Sequence, residues 1–192
     1  QAEDKGGGGL LCRGDDETGQ ITNTIFDGNE ASWSGGGLKT SLEALTIVDS
    51  TFIHNTAGVK GGGVDVSGPT TITRSIIQEN KVIGDRSNWG GGGGIINDET
   101  TLTITDSEVI ANDSGFDGGG IYNFAASLTI YGGEISENIA NNGEGGGIYN
   151  KSTKIKTRTK IFMRLHRSLA AFLAFLSDFQ PSVLRPSRQD GR

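Results

Sequence analysis

Cysteine occurs once in the 192 residues, as Cys12, so no internal disulfide can form. It reads as a filler of an inward slot rather than as a chemical group. Secretion stays open, because stacked strands can supply the stability that disulfides give small domains. Histidine is nearly as scarce, and His54 and His166 have no sequence company that would build a metal site or a catalytic triad. No metal and no cofactor is therefore expected. Hydrophobic residues make up only 33% of the chain, low for a compact globule but adequate for a narrow solenoid core. The apolar run Leu169–Leu176 is too short to span a bilayer. No basic stretch followed by an apolar run opens the chain, so no signal peptide is visible. The chain reads as a mature form or an internal fragment with coils missing upstream. Basic side chains are few over most of the length: residues 1 to 150 carry 7 against 21 acidic ones, a net of −14. Nucleic-acid phosphates need clustered Lys and Arg, so no nucleic-acid partner is expected.

Glycine, by contrast, is abundant: 31 of the 32 glycines lie in residues 1 to 150. They recur as Gly-Gly-Gly-aliphatic six times, ending at Leu10, Leu38, Val64, Ile95, Ile121 and Ile148, with spacings of 26 to 31 residues. A period in that range marks a solenoid of short coils, each touching only its neighbours. A second motif, hydrophobic-x-x-Asn, runs in phase: Phe26/Asn29, Phe52/Asn55, Ile77/Asn80, Val109/Asn112 and Ile135/Asn138. Eight residues before each asparagine stands Ile21, Ile47, Ile72, Ile104 or Ile130. Alternation such as Leu102-Thr103-Ile104-Thr105 is the period-2 pattern of a strand with one buried side.

Each coil thus predicts a glycine turn, a short strand, a loop, a Leu-Thr-Ile strand, a bend, a Phe/Ile/Val strand and an asparagine turn. The fold class is all-β, a parallel β-helix of about five to six coils. Stacked about 4.8 Å apart, equivalent residues form columns. The asparagine amide both donates and accepts, so Asn29 to Asn138 can hydrogen-bond along their own column at a tight corner. Thr24, Ser50, Ser75 and Ser107 are placed to cap the bend between strands.

The two motifs together resemble the polymorphic outer membrane protein repeat, in which a Gly-Gly-Ala-Ile-type tetrapeptide alternates with Phe-x-x-Asn. The resemblance covers residues 6 to 150. It implies a right-handed β-helix and a bacterial surface or secreted protein, often an adhesin; it lends no catalytic residues. The chain departs from the pattern in two ways: the third motif residue is always glycine, and only two coils carry phenylalanine before the asparagine. No outer-membrane barrel follows, so autotransport is not carried over.

Residues 151 to 192 carry 10 basic and 2 acidic side chains, a net of +8, and mark a compositional boundary. Residues 151–160 could still supply one strand, and residues 161–179 read as an amphipathic or apolar helix. This basic tail is either a capping helix over the last coil or an out-of-frame segment. The lost repeat residues and the Arg-rich ending favour the second slightly.

Several groups could carry function. Asp49, Arg74 and Asp106 form an outward column whose carboxylates, two coils apart, would stand about 9 to 10 Å from one another. That is the wide end of the separation inverting glycosidases use. The plainer reading is an exposed charge ladder, and we favour it. Threonines form a second array, Thr46/Thr71/Thr103/Thr129 beside Thr22/Thr73/Thr105, of the kind that binds ice on β-solenoids. Ordinary β-propensity explains it as well, and Val48 and Tyr131 interrupt it. The Lys81–Gly91 loop is the longest between an asparagine and the next glycines, and insertions in solenoids cluster on a binding face. Trp33 and Trp89 share that rim and could stack on a sugar ring or partner, or fold back over their own loops. Asp113, Asp117 and Glu144 are weak calcium candidates, and Arg13-Gly14-Asp15 is a chance-level integrin-type tripeptide.

The expectation is a non-enzymatic cell-surface, outer membrane-associated or secreted protein, an adhesin-like stalk or binding passenger. Its partner would be a surface glycan or a protein, and the solenoid ends are a further surface for association. A carbohydrate-active lyase or hydrolase using Asp49, Arg74 and Asp106 is the alternative, with ice binding third.

Overall fold

The computed structural model describes residues 6–84, 90–152 and 154–161. All its strand pairs are parallel, as the repeat predicts. The fourth coil serves as the pattern: Gly92-Gly93-Gly94, then strands Ile95–Asp98, Thr101–Thr105 and Glu108–Ile110, then Asn112. Each strand pairs in register with its counterparts above and below. Ile95 meets Val64 and Ile121, Leu102 meets Thr70 and Leu128, and Val109 meets Ile77 and Ile135. The result is a parallel β-solenoid of about five turns. Among the described residues no helix is long and apolar enough to cross a membrane.

Alternation fills the interior. Ile47, Ile72, Ile104 and Ile130 are at most 1% exposed and join Phe52, Ile77, Val109, Leu38, Val64 and Ile95 in one cluster. Burying each such side chain contributes roughly 1.5–3 kcal/mol. Phe26 and Phe52, one coil apart, stack with ring centroids 4.6 Å apart and planes 3° from parallel.

The corners explain the recurring polar residues. Asn29, Asn55, Asn80, Asn112 and Asn138 form one continuous ladder, each amide donating to Oδ1 of the next at 2.9–3.0 Å. Asn55, Asn80 and Asn112 are fully buried. The third glycine of each motif makes room for them: a Cβ on Gly63 would lie 2.8 Å from the Gly94 carbonyl oxygen and 3.1 Å from the Asn80 amide. The bend serines cap as expected. Ser50, Ser75 and Ser107 each donate to the carbonyl two residues before and accept the backbone N–H of the coil above.

Two findings refine the expectations. Lys81–Val82, assigned to a loop, is a short strand between Thr56–Ala57 and Asp113–Ser114, part of a second, five-stranded corner sheet. Pairing also runs past the compositional boundary at residue 150. Ile148–Lys151 continues the first strand column, and Lys154–Ile161 pairs with Ser127–Ser136. The helix expected over 161–179 lies, apart from Ile161, outside the described residues.

Candidate functional site

The Asp49/Arg74/Asp106 column sits on the bend between the second and third strands, where the chain turns left-handed. Asn23, Asp49, Arg74 and Asp106 have φ of 49°, 50°, 46° and 47°. Arg74 grips Asp49 bidentately, Nε to Oδ1 and Nη2 to Oδ2 both at 2.8 Å, with both side chains solvent-facing. Those hydrogen bonds hold the Asp49 carboxyl below the usual carboxylate range. A general acid in glycoside hydrolysis needs the opposite shift. Asp106 contributes only a longer-range attraction to Arg74, and its Oδ1 lies against the α-carbon of Gly132, where a Cβ would collide with it. Asp49 and Arg74 thus pair across neighbouring coils, with Asp106 farther off in the same column.

His54 is not alone. Its Nδ1 lies 3.0 Å from Asp27 Oδ1 and its Nε2 3.3 Å from Glu79 Oε2, on the exposed corner before the asparagine ladder. The hydrogen bond His54 donates to Asp27, seconded by Glu79, raises its pKa. Lys81 and Asp113 make a comparable pair at 3.4 Å. Asp113, Asp117 and Glu144 do not converge, since Asp117 Oδ1 accepts the Glu144 backbone N–H at 2.8 Å and Asp113 faces Lys81. Among the described residues no group of three or more His, Cys, Asp or Glu side chains is arranged to hold a metal ion. Arg13 and Gly14 belong to an extended strand paired with Ser41 and Leu42.

Trp33 is 39% exposed, on a rim fixed by its own carbonyl, which accepts the N–H groups of Val59 and Lys60. Ile83, 65% exposed, follows the corner strand two coils on. Trp89 lies outside the described residues. The threonine columns are in register, Thr46–Thr71–Thr103–Thr129 and Val48–Thr73–Thr105–Tyr131.

One polar cluster was not foreseen. It lies on the outward side of the first strand column, where Leu11, Lys39, Asp65, Ile96, Tyr122 and Tyr149 stack in register. Lys39, Asp65, Ile96 and Tyr122 are nevertheless buried. Lys39 pairs with Asp65, and Lys60, from the corner beside them, pairs with Asp98. Burial pushes the Tyr122 hydroxyl up to about 12, helped by Tyr149, Asp117 and Asp98. This column repeats a residue type only at its end, in Tyr122 and Tyr149, so periodicity could not single it out. Compared with family models, with curated proteins and with solved structures, the chain matches none.

Proposed function

We propose that this chain is a non-enzymatic, extended segment of a cell-surface or secreted protein, an adhesin-like stalk or binding passenger. The supporting observation is that several exterior charges pair with one another along the solenoid axis. Asp49 with Arg74, Asp27 with His54 and Glu79, and Lys81 with Asp113 form ladders between neighbouring coils. Such pairs hold a long side in shape, and the Arg74 hydrogen bonds hold the Asp49 carboxyl below the usual carboxylate range, the reverse of what a general acid needs. The likeness of its two repeat motifs to polymorphic outer membrane protein repeats is consistent with a bacterial surface setting. Recognition would use the rim of Trp33 and the Lys81–Gly91 insertion, with Trp89 as a second aromatic platform for a sugar ring.

A glycan-array screen of the full chain, with reducing-end release assayed on each hit, tests this. Binding without release, weakened by Trp33→Ala or Trp89→Ala, supports the reading. Release abolished by Asp106→Asn overturns it in favour of a carbohydrate-active solenoid. The unbroken register of Thr46, Thr71, Thr103 and Thr129 favours a second reading, ice binding. Thermal hysteresis lost in Thr103→Tyr would support it.

A further inference from the structure

We propose that Lys39 and Asp65 join in the folded protein through a self-formed amide bond that ties the second coil to the third. The two residues stand directly opposite one another in register, Lys39 in strand Leu38–Val48 and Asp65 in strand Val64–Val66. Their side chains are 11% and 0% exposed. Lys39 Nζ lies 3.5 Å from Asp65 Oδ2, an ion-pair separation too long for a good hydrogen bond. That oxygen is buried and accepts no hydrogen bond. A hydroxyl attends each of the other two reacting atoms. Lys39 Nζ donates to Ser34 Oγ at 3.1 Å, and Ser67 Oγ donates to Asp65 Oδ1 at 3.3 Å. The lysine stem runs through a slot that glycine leaves open: a Cβ on Gly6 would lie 2.6 Å from Lys39 Cδ and 2.8 Å from Ser34 Oγ.

This arrangement holds an amine beside a carboxyl that is itself fully buried. Transfer of a proton from Nζ to Oδ2 converts the ion pair into amine and carboxylic acid. The Nζ lone pair then attacks Cγ. Negative charge develops on Oδ1, where the Ser67 hydroxyl already points. The Cγ–Oδ2 bond breaks as a second proton passes from Nζ to Oδ2, so Oδ2 leaves as water and Oδ1 remains as the amide carbonyl oxygen. The ammonium and carboxylate become one amide and one water, and no oxidant or co-reactant is required. Fixed proximity of this kind can reach effective concentrations of about 10⁵–10⁸ M.

The consequence suits a solenoid. Coils touch only their neighbours, so such a fold opens from its ends one coil at a time. A covalent tie between two coils blocks that opening at one point, whatever ligand the sides carry.

Intact-mass measurement of the folded full-length protein is the test. The proposal expects a mass lower than the sequence mass by one water, and a branched peptide joining Lys39 to Asp65 after proteolysis. Lys39→Arg keeps the positive charge but cannot condense under these conditions, and it should restore the full mass. Wild-type protein at its full sequence mass after prolonged incubation in the folded state overturns the proposal. So does a water loss that persists in Lys39→Arg, which would assign it to another site, such as cyclisation at Asp27-Gly28 or Asp117-Gly118. The wild-type mass decides the matter even if the variant folds poorly.

Discussion

The side-chain amide of Asn80 donates to Oδ1 of Asn112 at 3.0 Å, across 32 residues of sequence and one coil of the solenoid. Asn80 also donates to the Phe52 carbonyl at 2.9 Å, and its own Oδ1 accepts both the backbone N–H and the side-chain amide of Asn55. Every one of these groups is cut off from water, so the ladder satisfies the corner where backbone bonding alone would not.

Asn80→Ala should therefore be costly out of proportion to its size. It strands the Asn55 donors and the Phe52 carbonyl, and buried unpaired groups cost about 1–3 kcal/mol each. A loss of about 3–5 kcal/mol is expected, read from urea unfolding. Asn29 is only partly buried and makes a single side-chain bond, to Asn55 Oδ1. Asn29→Ala should cost about 1 kcal/mol. Equal losses at the two positions would show that the ladder is not cooperative along its length.

The position just before each ladder asparagine is left-handed in all five coils, and Gly28, His54, Glu79, Ala111 and Glu137 occupy it with φ of 65°, 55°, 51°, 54° and 56°. A residue with a Cβ pays strain there that glycine does not. Ala111 brings no side-chain bond in return. Ala111→Gly should raise stability by about 1 kcal/mol, net of the extra freedom glycine has when unfolded. The reverse change, Gly28→Ala, should lower it by a similar amount although a Cβ there meets nothing within 4 Å. Thermal unfolding of the two variants checks both signs.

The solenoid was legible in the sequence because its columns repeat one chemistry. Glycine at the turn, isoleucine inside and asparagine at the corner each recur at fixed offsets, and pairing keeps all of them in register. The Asp49/Arg74/Asp106 column was legible for the same reason, but its bidentate geometry was not, since that depends on how two side chains lie across a left-handed bend. His54 appeared isolated because its position carries no recurring residue type: Glu79 is its equivalent one coil on, and Asp27 is offset from it by one residue in register. The Lys39–Asp65 pair escaped notice because its column reads Leu, Lys, Asp, Ile, Tyr, Tyr, with nothing recurring until its end. A shorter ladder, Asn97–Asn123–Asn150, did leave a trace as Gly-Gly-Gly-Ile-x-Asn in three coils. The stronger asparagine series masked it.

His54 ties acidity to stability at an exposed corner. Its pKa is raised in the folded state, first by the Asp27 hydrogen bond and then by Glu79. The contribution is complete below the unfolded value near 6.5 and is lost as pH rises through the higher folded value. The thermal midpoint should fall slightly over that window, and Asp27→Asn should bring the His54 titration, followed by NMR, back down. An unchanged titration in Asp27→Asn would remove Asp27 as the cause.

The shorter ladder ends on an unpaired atom. Asn97 donates to Asn123 Oδ1 at 2.7 Å and to the Ser127 carbonyl at 3.1 Å, while its own Oδ1 is buried and accepts nothing. The reason is Val66, which fills the register position above it. Val66→Asn would supply the missing donor. The new Oδ1 would in turn face Thr40, the next residue up the column, whose hydroxyl can donate. Replacing a buried valine with asparagine ordinarily costs several kcal/mol, about 1.5–3 of it from lost apolar burial. Here that loss is offset by pairing the Asn97 oxygen, while Thr40 satisfies the new one, so Val66→Asn should stay within about 1 kcal/mol of the parent. Val66→Asp offers Asn97 no donor when ionised and adds a buried charge, so it should destabilise by about 3 kcal/mol or more. Urea unfolding of the pair decides it: equal, large losses would mean that the Asn97 oxygen is satisfied by some other group.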